Sequence, residues 1–174
     1  MEPVFDVNAF RQALGQFPTG VCVVTSVVGA ETLGVTISSF NSLSLDPPLV
    51  LFSIDRRAAS LPLWQQATAY TINVLSENQA DLSGRFSRSL TDKWEGIACE
   101  TGVGHGPTLP GAAAVFHCAH WAVHQGGDHL LFIGKVISFR TFRDRHPLVF
   151  SKGRYAALEN EGFADQSWPL ASHY

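Results

Sequence analysis

Three kinds of feature are missing from this 174-residue chain, and each absence excludes something. Its cysteines, Cys22, Cys99 and Cys118, are odd in number and show no Cys-x-x-Cys spacing. Neither a disulfide framework nor a thiolate zinc site is indicated, and the expected setting is a reducing cytoplasm. No run approaches the roughly 18 apolar residues of a membrane-spanning helix. The N-terminus has no basic region leading into an apolar one, so a soluble, unprocessed protein is expected. Positive charge is also short: 12 Lys and Arg against 15 Asp and Glu leave a formal −3. That gives no electrostatic case for DNA, RNA or an anionic membrane as the main partner. What is abundant is apolar residue, 45% of the chain, ample for one core. The reading is a single domain over residues 1–158 and a tail over 159–174, without internal repeats or low-complexity tracts.

The pattern along the chain is of short strands. Asp6 can cap a first helix carrying Phe10, Leu14 and Phe17 at helical spacing, a short lid or prop that Gly15 and Pro18 close. The β-branched run from Val21 to Val28 turns at Gly29-Ala30-Glu31 into Thr32–Ile37, a hairpin. Leu49–Ile54 and Ala69–Leu75 read as strands, with a short helix from Ser60 to Gln66 between them, Ser60 as N-cap, and a second from Glu77 to Phe86. A glycine- and proline-rich connection runs from Lys93 to Gly111, of a length that is often functional or mobile. Ala112–His124 suits helix by its alanines and strand by Val115, Phe116, Trp121 and Val123; the turn Gln125-Gly126-Gly127-Asp128 and the strand Leu130–Phe139 favour a hairpin. Leu148–Ser151 is a last strand, and the tail is either disordered or a flap over a neighbour. Hairpins without strand–helix–strand alternation argue for a mainly β protein, a closed antiparallel barrel with helical additions, and against a dinucleotide-binding parallel sheet. Gly102-Val103-Gly104-His105-Gly106-Pro107 has the wrong spacing for a dinucleotide loop and runs into proline instead of a helix.

The densest chemistry lies between Gly34 and Pro48. Four serines, Ser38, Ser39, Ser42 and Ser44, join Thr36 and Asn41 in a stretch flanked by apolar runs, which suggests a loop gripping an anionic group. Arg57 and Ser60 stand downstream, Arg57 being preferred to Arg56 for its spacing to Ser60.

Phe17-Pro18-Thr19-Gly20-Val21, Gly34-Val35-Thr36-Ile37-Ser38-Ser39-Phe40-Asn41-Ser42-Leu43-Ser44, Pro47-Pro48-Leu49-Val50, Asn73-Val74-Leu75, Gly127-Asp128-His129 and Gly134-Lys135-Val136 together resemble the short-chain flavin reductase family. The motifs fall in that family's order from about Phe10 to Leu158. The resemblance implies an FMN-binding type of antiparallel split β-barrel, usually a homodimer. It implies an NAD(P)H-dependent flavin reductase that hands reduced FMN or FAD to a partner monooxygenase. Hydride then moves between cofactor rings, so the protein chiefly binds and orients. Ser38, Ser39 and Ser42 with Arg57 and Ser60 would hold the flavin phosphate. Thr36, Ser38, Ser39, Ser53, Ile54 and Asp55 would lie along the flavin, with Asn73 and Phe86 nearby and Thr19 at the ring. Asp128, His129 and Tyr155 are implied at the nicotinamide nucleotide, His129 being the candidate for direct contact.

The plainer readings stand beside these. Loop serines commonly satisfy turns, Asn73 can pair with backbone, Phe86 and Tyr155 are by default core or rim aromatics, and a histidine beside Asp128 can simply bond locally. His117, His120 and His124 would share a face of a helix, but on a strand His117 points away from the other two, and no metal site is expected. Cys22 and Cys118 are expected to be buried small residues. Three functions remain open: the reductase; a flavoprotein of the same fold that keeps its FMN and reduces another acceptor such as a corrinoid; and a non-enzymatic flavin-binding module. FMN against FAD, and NADH against NADPH, also stay open.

Overall fold

Two antiparallel sheets account for every strand in the computed structural model, which describes residues 5–89, 92–100 and 105–158. Ten strands occur in chain order: β1 (Thr19–Gly20), β2 (Cys22–Val28), β3 (Glu31–Ile37), β4 (Asn41–Leu45), β5 (Pro48–Asp55), β6 (Ala69–Val74), β7 (Ala114–Gly126), β8 (His129–Thr141), β9 (Val149–Ser151) and β10 (Arg154–Ala156). Helices α1 (Val7–Leu14), α2 (Leu61–Trp64) and α3 (Ala80–Phe86) are added to them, a 3₁₀ turn (Glu77–Gln79) leading into α3. The main sheet runs β3-β2-β6-β7-β8-β5-β4 and the small one β1-β9-β10. The ambiguous segment is therefore strand, from Ala114 to Gly126, set by the Gly127-Asp128 turn in which Gly127 takes φ +69°, a left-handed conformation cheap only for glycine.

Burial alternates along β5, with Val50, Phe52 and Ile54 inward. Phe52 stacks on Phe132 with ring centroids 5.3 Å apart and meets Tyr70 edge-on at 5.3 Å, closing one core with Trp64, Ile72 and Val24. Removing such a ring costs about 3–5 kcal/mol. A second cluster on the other face holds Val21, Val23, Leu75, Phe86, Leu109 and Leu148. Phe86 explains Gly34: a Cβ there would lie 2.4 Å from the phenyl ring, so only glycine lets β3 settle on α3.

Several expectations are corrected. The stretch from Gly34 to Pro48 is not one long loop: Gly34–Ile37 completes β3, Ser38-Ser39-Phe40 is the corner, and Asn41–Leu45 is the edge strand β4. Alternating apolar Leu43 and Leu45 carry that strand pattern. Ser60 precedes α2, but its side chain makes no capping bond. Helix α1 is capped by Asp6, which accepts from Asn8 N at 2.9 Å, yet it buries no residue and props no core of its own chain. The described parts of the 93–111 connection are fastened, not free. Thr25 donates to Pro107 O and Thr71 to Gly106 O, each at 2.6 Å, and Leu109 N donates to Asn73 Oδ1 at 2.9 Å. Of the glycine motif, residues 102–104 lie outside the described residues, as does the tail from 159.

The barrel is not closed by a ladder. β5 pairs with β8 from Leu49 to Asp55, whereas β4 covers its other edge only from Pro48 to Leu51. Phe52–Asp55 is left with an open edge toward β3, which has β2 alone as a partner among the described strands. This is the split, and the candidate site lies in it.

Candidate functional site

The corner at Ser38 divides two adjoining cavities of about 290 Å³ each, both lined by Thr36, Ile37 and Ser38. The first follows the seam, where Ser39, Ser53, Ile54, Asp55 and His129 contribute. The second is walled by Val21, Ser83, Ser87, Phe150 and Tyr155. A more open, largely apolar depression of about 410 Å³ between α3, residues 96–98 and residues 109–110 has only Asp81 and Arg85 as charged groups and lies away from the hydroxyl-rich corner. Convergent polar groups, more than volume, mark a binding site, so the seam is preferred.

Ser39 Oγ accepts the Ser53 N–H at 2.9 Å. Ser53 therefore points its amide into the seam, and strand alternation aims the Asp55 amide toward the same edge. The Asp55 amide and the Ser38 hydroxyl thus face one groove beside the Ser39–Ser53 bond, a wall suited to anionic oxygens and to the acceptor edge of a heterocycle.

Charge collects at the end of β5. Arg57 binds Asp55 with both prongs of its guanidinium, Nη2 to Oδ2 at 2.7 Å and Nε to Oδ1 at 3.1 Å. These bonds hold the Asp55 carboxyl far below the usual carboxylate range, and the same pairing raises the arginine. Arg56 is occupied elsewhere, its Nε donating to Gly127 O at 2.9 Å. His129 lies opposite Asp55 in the β5–β8 ladder and holds Asp128 Oδ1 at 2.7 Å through Nδ1, a contact that lowers the Asp128 carboxyl. Register thus sets Asp55, Arg57, Asp128 and His129 at one rim.

The remaining candidates separate. Ser42 is exposed on β4 opposite Val50, and neither it nor Arg57 nor Ser60 lines either cavity. Asn73 is fully buried, donating to Val23 O at 3.1 Å and accepting from Leu109 N, so it serves the core. Phe86 is fully buried behind Gly34. Thr19 Oγ1 is buried without a hydrogen-bond partner among the described residues. Tyr155 lines the second cavity and His129 the first, so within one chain they do not meet. Ser83, Ser87 and Phe150 were not among the sequence candidates, since a lone helical serine or a phenylalanine in a three-residue strand carries no signal of its own.

His120 takes Tyr70 Oη at 2.6 Å and His117 meets Thr71 Oγ1 at 3.2 Å. Bulges after His117 and His120 shift the register between them. Among the described residues no three His, Cys, Asp or Glu side chains converge as metal ligands. Cys22 and Cys118 are buried, and burial pushes both thiols up to about 12.

The flavin reductase like domain matches residues 14–159. The chain belongs to that family. It is 40% identical over 156 residues to the FMN reductase (NADH) SmoA of Agrobacterium fabrum, spanning 88% of this chain and 87% of that protein. The reductase subunit HsaB of a flavin-dependent monooxygenase from Rhodococcus jostii is 35% identical over 94% of this chain and 84% of its own. Among solved structures, the NADH:FAD oxidoreductase SgcE6 of Streptomyces globisporus, in complex with NAD and FAD fragments, superposes with TM-score 0.85 at 33% identity, covering 92% of this chain and 99% of that one. A flavin reductase fold accounts for the open seam: the barrel stays split where a ligand can lie between β3 and β5.

The residues fit a flavin. The seam offers the donors a ribityl phosphate needs, and the adjoining Phe150–Tyr155 pair, edge-to-face with centroids at 5.7 Å, gives an apolar wall for a ring.

Proposed function

We infer that the chain is an NAD(P)H:flavin oxidoreductase, the reductase component that supplies reduced FMN or FAD to a partner monooxygenase. The observation carrying this reading is the juxtaposition, across the single corner at Thr36–Ser38, of a donor-lined seam and an aromatic-walled cavity. The flavin and the reduced nicotinamide nucleotide supply the hydride chemistry when bound. The chain's own residues bind, orient and shield.

Ser38 and the Asp55 amide hold flavin oxygens along the seam, with Ser39 and Ser53, bonded to each other, lining it. Arg57 and Ser60, just outside it, are placed to meet the phosphate end, with Ser42 a more distant donor. The Asp55 pairing keeps the Arg57 fork pointed instead of sweeping through solvent. His129 and Asp128 meet the nicotinamide nucleotide from the hairpin tip, and Tyr155 borders the ring. The nucleotide pool that such an enzyme draws on places its work in the cytoplasm.

A homodimer is part of the reading. Phe10 and Leu14 in α1 with Phe17 just after it, and Leu45, Ile137 and Phe139 on the main sheet, are exposed apolar groups of the kind a second copy covers. Light scattering at micromolar concentration tests this.

The deciding assay mixes the protein with NADH or NADPH and with FMN or FAD and follows nucleotide oxidation. Turnover with at least one pair is expected. Failure with all four removes the reading, and a protein that purifies yellow and keeps its flavin through dialysis points instead to the FMN-retaining flavoprotein.

A further inference from the structure

Ser83 is 1% exposed in α3 and touches both walls of the second cavity. Its carbonyl accepts the Thr36 hydroxyl at 2.7 Å and the Ser87 N–H at 3.1 Å. Its hydroxyl lies 2.8 Å from Tyr155 Oη. A carbonyl can only accept, so the single proton of Thr36 is spent on Ser83 and its lone pairs remain for a ligand. The Ser83 hydroxyl has no other side-chain partner among the described residues, and burying its proton unused would be costly. It therefore donates to Tyr155, whose own O–H, on a residue 44% exposed, is left to point into the cavity.

We propose that Ser83 is a positioning residue that fixes the polarity of this cavity, holding Thr36 as an acceptor and Tyr155 as a donor so that together they read an amide edge, adjacent N–H and C=O, on a planar ring. The proposal rests on the flavin reductase reading and deepens it. Two ligands of that reaction carry such an edge: the pyrimidine end of the flavin and the carboxamide of the nicotinamide. Polarity is a better discriminator here than shape, because a mismatched ring leaves a buried donor or acceptor unpaired. The β9–β10 hairpin that carries Tyr155 is held to the body at its base, by the pairing with β1 and by Val21 N to Leu148 O and Leu148 N to Leu75 O, and at its turn by Lys152 N to Gly15 O. β10 itself pairs with β9 alone among the described strands, so the Ser83 contact fixes the phenol against α3.

The experiment measures dissociation constants of FMN and of NAD⁺ separately, by calorimetry, for the full-length wild type, Ser83→Ala, Ser83→Thr, Tyr155→Phe and the Ser83→Ala/Tyr155→Phe double variant. Expected is a weakening of one ligand by about three- to tenfold in each of Ser83→Ala and Tyr155→Phe. The double variant should be no worse than either single one, because both remove the same contact. Ser83→Thr should restore binding. Loss confined to FMN assigns the edge to the flavin, and loss confined to NAD⁺ assigns it to the nicotinamide; the Michaelis constant of that ligand should follow while kcat holds. Wild-type affinity for both ligands in the two single variants, or losses that add in the double, overturns the proposal. Should Ser83→Ala fail to fold, Ser83→Cys, which keeps the volume and weakens the donated bond, carries the test beside Tyr155→Phe. A wild type that binds neither ligand and oxidises no nucleotide overturns the flavin reductase reading and this proposal with it, whereas a competent wild type with unaffected variants overturns the role of Ser83 alone.

Discussion

The hydroxyl of Ser39 accepts the backbone N–H of Ser53 at 2.9 Å, bridging a seam that no ladder closes among the described strands. The bond both braces the gap and aims donors into it. Ser39→Ala leaves the Ser53 amide to solvent or ligand. Because both residues are only half-buried, the expected cost is about 1 kcal/mol, a fall of roughly 2–4 °C in melting temperature for a chain of this size. FMN affinity should fall with it. Melting curves with and without FMN check both; an unchanged affinity would remove Ser39 from the flavin's surroundings.

Gly34→Ala places a methyl group 2.4 Å from the Phe86 ring, which is fully buried and has no room to retreat. Over-packing of this kind costs about 1–3 kcal/mol. Urea unfolding should show that loss, and Gly34→Ala combined with Phe86→Leu should recover part of it by vacating the space.

His129→Ala should raise the Michaelis constant for NADH by more than it raises the FMN dissociation constant, since His129 lines only the outer end of the seam. His129 stands at the rim through its register with Asp55, and its bond to Asp128 orients the ring without entering the core. Steady-state kinetics with each substrate varied in turn gives the split. A variant that kept both constants would dismiss the histidine as a turn residue.

Asp55 is charged well below the usual range because Arg57 bonds its ionised form. A depressed carboxyl favours the folded arrangement above the ordinary value of about 3.9 and loses that advantage as pH falls through the native value. Carbon-detected NMR titration should find the Asp55 midpoint well below about 3.9, and Arg57→Ala should return it there. The pair is exposed, so added salt should weaken the effect.

Thiol chemistry tests the core. Cys22 and Cys118 are 2% and 0% exposed and burial holds both protonated at any ordinary pH. A chromogenic disulfide reagent at pH 8 should find Cys99 alone in the native protein and all three thiols after denaturation.

Strands were legible wherever β-branched runs met a glycine turn, as at Val21–Val28 with Gly29 and at Leu130–Phe139 with Gly127. The hydroxyl-rich stretch was found by composition, but its division into strand end, corner and edge strand was not, because serine is compatible with all three and Leu43 and Leu45 were a short signal. Asn73 and Phe86 were assigned by resemblance, and both turn out to work inside the core, where Asn73 clamps Leu109 and Phe86 backs Gly34. Ser83 was invisible for a different reason. Its significance lies in what two distant strands bring to it, and no local pattern records a meeting of Thr36 and Tyr155.

Arg56 ties the hairpin tip to β5 twice, its N–H to Asp128 O at 2.9 Å and its Nε to Gly127 O at 2.9 Å. The length of the β7–β8 hairpin is therefore not free to drift as surface hairpins usually do. One residue inserted in β8 just after His129 would turn the imidazole to the opposite face of the sheet, and two would carry it beyond the end of β5. The hairpin behaves as a ruler whose zero is Arg56, and the histidine is the mark it sets against the seam.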